Sequence, residues 1–349
     1  MATPYHRLAR ETPAYAWWKL PVAALVIVAI YFGLTILLVA AAAVWFATSG
    51  SSGSLDAWFD AVGDLDTRHL DYFVLDLLSI ALLIPAVLLG VLATGPRPVG
   101  YLSSVAGRLR WRWLGLTAVI ATVITVVTIG GSLAVSALTD PSEVSSPSSV
   151  DASLAWALLA ILLVVPLQSA AEEYLFRGYL LQLVGSWTRF AAVPVVVVTP
   201  LFVAGHGYGL WGLLDVGLFG LTAAILTIRT GGLEAAIAAH AANNVVLFAL
   251  DAVGTISATD DSGAGPVDLV PTVVSSVLLV VVIEWAARRR GVQRTRDPIP
   301  DPPLPLAPMW PPPPYAMVWH QPPAQPVAPS PVLHPETPDY PGDLPPGWR

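Results

Sequence analysis

Apolar runs close to the length of a bilayer-crossing helix recur through the first 290 residues of this chain. Crossing a hydrocarbon core of about 30 Å takes roughly 20 apolar residues in helical form. Eight segments meet or approach that length: 21–47, 72–94, 113–138, 152–171, 190–205, 209–228, 233–253 and 266–287. The fifth is the shortest and contains Pro194 and Pro200, whose lost backbone bonds its neighbours must make good. Lipid offers the backbone no partners, so such runs fold as helices. The expected fold class is therefore an all-α polytopic membrane protein with about eight transmembrane helices. Only 12% of residues are charged, against about 25% in an ordinary soluble domain, which excludes a soluble globular enzyme. The chain has no cysteine, so disulfides, thiolate metal sites and a cysteine nucleophile are excluded as well. The first run is about twice the length of a signal-peptide core and is read as a retained helix.

Charge sets the orientation. With the N-terminus inside, the inner segments hold Arg7, Arg10, Lys19, Arg97, Arg108, Arg110, Arg112, Arg177, Arg189, Arg229 and the flank Arg288 to Arg296. The outer loops hold one basic residue, Arg68, and many acids, among them Asp66, Asp140, Asp251, Asp260 and Asp261. By the positive-inside rule this places both termini in the cytoplasm, in what is expected to be a bacterial cell membrane. The last 59 residues hold 20 of the 33 prolines, a composition that cannot bury a core. The chain thus divides into a cytoplasmic N-terminus (1–20), three helices with their loops (21–151), a four-helix core (152–253), a last helix with its basic flank (254–290) and a disordered Pro-rich cytoplasmic tail (291–349). Repeated Pro-x-x-Pro spacing makes that tail a candidate dock for a proline-recognising partner. Nothing points to nucleic acid.

Ionisable groups at membrane depth cost about 2.5–3.5 kcal/mol or more each, and so mark function. Apart from Asp76, they fall almost entirely in spans four to seven: Glu172, Glu173, Arg177, His206, Asp215, Glu234, His240, Asn243 and Asn244. Glu173 and Arg177 are four residues apart on one helical face and can pair. The i+4 neighbour of Glu172 is Phe176, which leaves that carboxylate without a local cation and suited to act as a general base. His206 stands among Gly205, Gly207 and Gly209, which permit close approach to its backbone. His240 and Asn244 share a helical face ringed by alanines. One carboxylate, two histidines and an asparagine on three helices form a hydrolytic set: base, orienting imidazole and oxyanion donors. The same Glu172, His206 and His240 could instead hold a divalent metal such as zinc, although no His-Glu-x-x-His helix is present.

At these residues the sequence resembles the CPBP family of CAAX proteases and bacteriocin-processing enzymes, also called Abi. The family pattern of Glu-Glu-x-x-x-Arg, Phe-x-x-x-His and His-x-x-x-Asn/Asp is matched by Glu172-Glu173 with Arg177, Phe202 with His206, and His240 with Asn244. The resemblance covers roughly 152–250 and implies an eight-helix intramembrane endopeptidase acting on membrane-associated or lipidated substrates, with a cavity open toward the cytoplasm. It implies Glu172 as base, His206 as its partner, and His240 with Asn244 as oxyanion hole, while Glu173 and Arg177 are structural. The family is conventionally classed among metalloproteases. The Asn in place of a ligand points instead to a mechanism that needs no cofactor. Two other functions fit less of the pattern. A catalytically idle scaffold or immunity protein should have lost motif residues, and a proton-coupled transporter should show internal repeats.

Overall fold

A computed structural model describes residues 2–12, 15–49, 54–55, 58, 65–67, 69–94, 98–139 and 152–297. The loop 140–151 and the proline-rich docking motifs from 298 onward lie outside the described residues, as do Arg68 and Arg97. Among the described residues eight α-helices follow in order: α1 (Lys19–Thr48), α2 (Leu70–Thr94), α3 (Trp111–Thr139), α4 (Ala152–Gly185), α5 (Ala192–Val203), α6 (Leu210–Thr230), α7 (Glu234–Ala252) and α8 (Leu269–Arg289). All except α5 are long and apolar enough to cross a membrane. Lipid-facing surfaces are apolar, as on α1, where Leu25, Phe32, Ile36 and Leu37 are exposed. The helix α7 is the most enclosed: Ala235, Ala236, Ala238, Ala239 and Ala242 are buried, and their small size lets α3, α4 and α6 approach it closely.

Three helices depart from uniform geometry, each for a physical reason. In α2 the helix interrupts at Leu82, because Pro85 has no N–H for the carbonyl of Ala81. The fourth segment, expected to end near 171, continues as one helix to Gly185. Glu172 and Glu173 therefore lie in mid-helix, about 30 Å along α4 at 1.5 Å per residue. The apolar residues beyond them sustain the run once Glu173 is paired. Between Tyr174 and Leu180 the turns widen into a π-helix, a rare geometry often found at functional sites. Finally α5, expected over 190–205, is only 12 residues long, or about 18 Å. The non-helical stretch 204–209 follows it, and its residues 205–208 line a cavity, where non-helical backbone at membrane depth is tolerable.

The connections gather into two ends of opposite chemistry. At one end the N-terminal segment pairs with the chain after α8, Thr3 opposite Arg296. There Arg110 grips Glu234 with two charge-assisted bonds of 2.8 and 2.7 Å, and it also donates to the carbonyls of Thr230 and Gln293. The costly Glu234 is thus accounted for as a structural ion pair. Glu284 meets Arg229, Arg288 and Arg294 at the same end. At the other end, Thr67 donates to Asp251, and the backbone N–H of Gly209 donates to Asp261 Oδ2 at 2.7 Å.

Candidate active site

The expected site residues arrive from three elements. Glu172 and Glu173 come from the middle of α4, His206 from the turn after α5, and His240 with Asn244 from α7. Glu172, His206, His240 and Asn244 all line one cavity of about 240 Å³. A second chamber of about 520 Å³ shares Glu172, His206 and Asn244 and extends toward Asp76, Leu77 and Ile80 on α2. Glu172 therefore lines both chambers. Neither wall carries a Lys or Arg among the described residues, whereas Asp215, Asp261 and Asp268 line the first chamber and Asp76 the second.

The polar contacts order these groups. Arg177 Nη1 donates to Glu173 Oε1 at 2.8 Å, as the four-residue spacing predicts, and both side chains are fully buried. The same oxygen faces His240 Nδ1 at 2.9 Å, so the carboxylate accepts from both, and that contact fixes which way the imidazole turns. His240 Nε2 then points toward Glu172 Oε2, 3.6 Å away. That oxygen is buried and has no hydrogen-bond partner. The gap is too long for a direct bond and suits a bridging water. The His206 Nδ1 lies 2.9 Å from the carbonyl of Phe202, which can only accept, so Nδ1 is the donor of that contact and Nε2 is left for other partners. Phe202 ties the layer together: its ring meets His206, His240 and Phe176 and lies beneath the Arg177 guanidinium, 4.2 Å away.

Two findings modify the sequence reading. Glu172 has no cation nearby in sequence, but it does have a partner one turn earlier: Gln168 Nε2 donates to its Oε1 at 2.8 Å. Gln168 Oε1 in turn accepts from Asn244 Nδ2 at 3.3 Å, and Asn243 Nδ2 donates to Asn244 Oδ1 at 3.1 Å. Gln168 thus joins the carboxylate to the asparagine. Its signal in the sequence is slight: an amide four residues before Glu172 inside an apolar run. Replacing Gln168 with Leu is expected to lower kcat about 10²-fold with little change in KM, since the loss is of alignment rather than of binding. Steady-state kinetics on a cleaved peptide, with thermal unfolding as a control for folding, would test this. The second finding concerns metal. Among the described residues no group of three His, Cys, Asp or Glu side chains is gathered as a metal ion requires, while Glu172, His206 and His240 all line the first chamber.

Both chambers take lining from the acidic end: from the 204–209 stretch, and from the α7–α8 connection, which supplies Ala258, Asp261 and Ala264 to the first and Thr259 to the second. This lining lies at the end opposite the basic one, which the positive-inside rule expects to be cytoplasmic.

Comparison with known proteins falls on the same helices. Residues 152–246 match the family model described as type II CAAX prenyl endopeptidase Rce1-like. A Bacillus subtilis (strain 168) protein described as uncharacterized, YyaK, is 37% identical over 99 residues, covering 26% of this chain and 33% of that protein. The match thus spans about a third of the relative's length. No solved structure matches. The family match covers α4 to α7, the same helices that bring the glutamates, histidines and asparagine together, and over these residues the chain is similar to CPBP-family proteins of the CAAX-protease type.

Proposed function

We propose that this protein is an intramembrane endopeptidase that hydrolyses peptide bonds of membrane-associated substrates with water activated by Glu172. The observation that carries this reading is Glu172 Oε2, a buried oxygen without a hydrogen bond on a residue that lines both chambers. An extended polypeptide passing Glu172 from one chamber into the other would have chain on both sides of the bond to be cut, as an endopeptidase needs. Glu172 takes a proton from water, and the hydroxide adds to the carbonyl carbon. The charge that develops on the carbonyl oxygen is met by the Asn244 amide and by His240 Nε2–H, which Glu173 supports through Nδ1. Glu172 then returns the proton to the departing amine as the C–N bond breaks. His206, held through Nδ1 and lining the same chamber, orients the water. Every step uses side chains of this chain alone. We place the protein in a bacterial cell membrane with both termini cytoplasmic, on the strength of its basic end.

A peptide library offered to the full chain in detergent is expected to be cut internally, and a strong chelator should leave the rate unchanged. Failure to cut any member would overturn the peptidase reading. Loss of cleavage with the chelator, restored by zinc, would overturn the mechanism while leaving the activity in place.

A further inference from the structure

We infer that both chambers open on the extracytoplasmic face, and that the substrate is a polypeptide segment already carried across the membrane. The second half of this rests on the peptidase reading; the first half does not. Every described Lys and Arg except the buried Arg177 belongs to one end of the bundle. They lie in the N-terminal segment, the starts of α1 and α3, the α4–α5 turn, the end of α6, and the end of α8 with its flank. Thirteen cations at one end and none described at the other is an asymmetry that fixes orientation during insertion.

The chambers lie toward the opposite end. Their linings take the N-terminal part of α6, the C-terminal part of α7, the start of α8 and the 204–209 turn, together with Leu65 ahead of α2. None of their lining residues comes from 98–110, 186–191, 229–234 or 290–297, the connections at the basic end. Between the site and that end stands a filled layer. Glu173 and Arg177 are buried, Arg177 Nη2 donates to the carbonyl of Gly220 at 3.0 Å, and Phe202 closes against both histidines. Tyr179, Leu181 and Leu233, all buried, continue the packing beneath it. A chain reaching Glu172 from the basic side would have to break this layer. From the acidic side it meets open cavity.

The absence of cysteine makes the test direct, because an introduced thiol is the sole one in the protein. Three single variants serve: Gly207→Cys on the chamber wall, where a Cβ meets open space; Ser262→Cys, exposed in the α7–α8 connection; and Asp297→Cys, exposed at the basic end. Spheroplasts expressing each variant are treated with a membrane-impermeant maleimide, and labelling in detergent confirms that every thiol is present and reactive. Gly207→Cys and Ser262→Cys are expected to label in intact spheroplasts, and Asp297→Cys only after permeabilisation. The reverse pattern, or labelling of Asp297→Cys alone, overturns the orientation and leaves the peptidase reading untouched. A second arm adds a peptide that the detergent-solubilised enzyme cuts to right-side-out and to inverted vesicles. Cleavage confined to right-side-out vesicles supports the inferred substrate class, and cleavage confined to inverted ones overturns it. A library left uncut in detergent, with the expected labelling, is a failure of the peptidase reading and not of the orientation.

Discussion

Replacing Glu172 with Gln is expected to lower kcat by about 10²–10⁴-fold, the usual contribution of a general base, while KM changes little. In free energy this is about 3–5 kcal/mol of transition-state stabilisation. The substitution keeps the shape of the side chain. Its Oε1 position can still accept from Gln168 Nε2, so the link to Asn244 is preserved and the carboxylate alone is removed. The change also breaks no direct hydrogen bond at Oε2, which has only the 3.6 Å approach of His240 Nε2. Single-turnover cleavage of a fluorogenic peptide, with thermal unfolding in detergent as the control, separates the two effects. Cleavage within tenfold of the unaltered protein would remove Glu172 from the base role. It would also reopen the idle-scaffold reading, in which Glu172 serves only to hold the fold.

Much of the architecture is legible in the sequence because lipid enforces it. An apolar run of bilayer length has few alternatives to a helix, so seven of the long helices coincide with the expected segments to within a few residues at most ends. The exceptions occur where tertiary partners change what the local sequence implies. A charged pair usually stops a membrane helix, which is why the sequence suggests too early an end for α4. Here Glu173 is neutralised within the bundle by Arg177 and bonded to His240, so the helix runs on. The π-helical turn at Tyr174 has no sequence signature of its own, and α5 is truncated by a turn whose purpose is to line a cavity. The side chains that gather at the site are identifiable because polar atoms at that depth are costly. Gln168 is not, since an amide is cheaper than a charge and its two partners lie on different helices. The loop residues that line the cavities, such as Ala258 and Asp261, are hidden too, because they reach the site from a connection with no polar pattern of its own.

The Glu173–Arg177 pair should behave as a unit whose stability and catalytic roles come apart. Arg177→Met alone leaves a fully buried carboxylate facing only His240, and Glu173→Gln alone leaves a buried guanidinium with the Gly220 carbonyl and the Phe202 ring. Each single change is expected to cost about 3–5 kcal/mol of stability, mostly from the charge left behind. The double variant removes both charges and should recover most of that loss, since a buried pair replaced by groups of similar volume is often close to neutral. Activity should not recover with it. The amide oxygen that Glu173→Gln introduces can still accept from His240 Nδ1, but without the carboxylate charge it no longer supports a protonated imidazole at the developing oxyanion. The double variant is therefore expected to stay at least about 10²-fold below the unaltered kcat, comparable to loss of an oxyanion donor. Thermal unfolding of the four proteins in detergent gives the coupling energy, and kinetics on the same preparations give the catalytic term. Recovery of both stability and activity would make the pair purely structural. Recovery of neither would mean that the penalty of the single variants comes from lost packing around Phe202 and not from an unpaired charge.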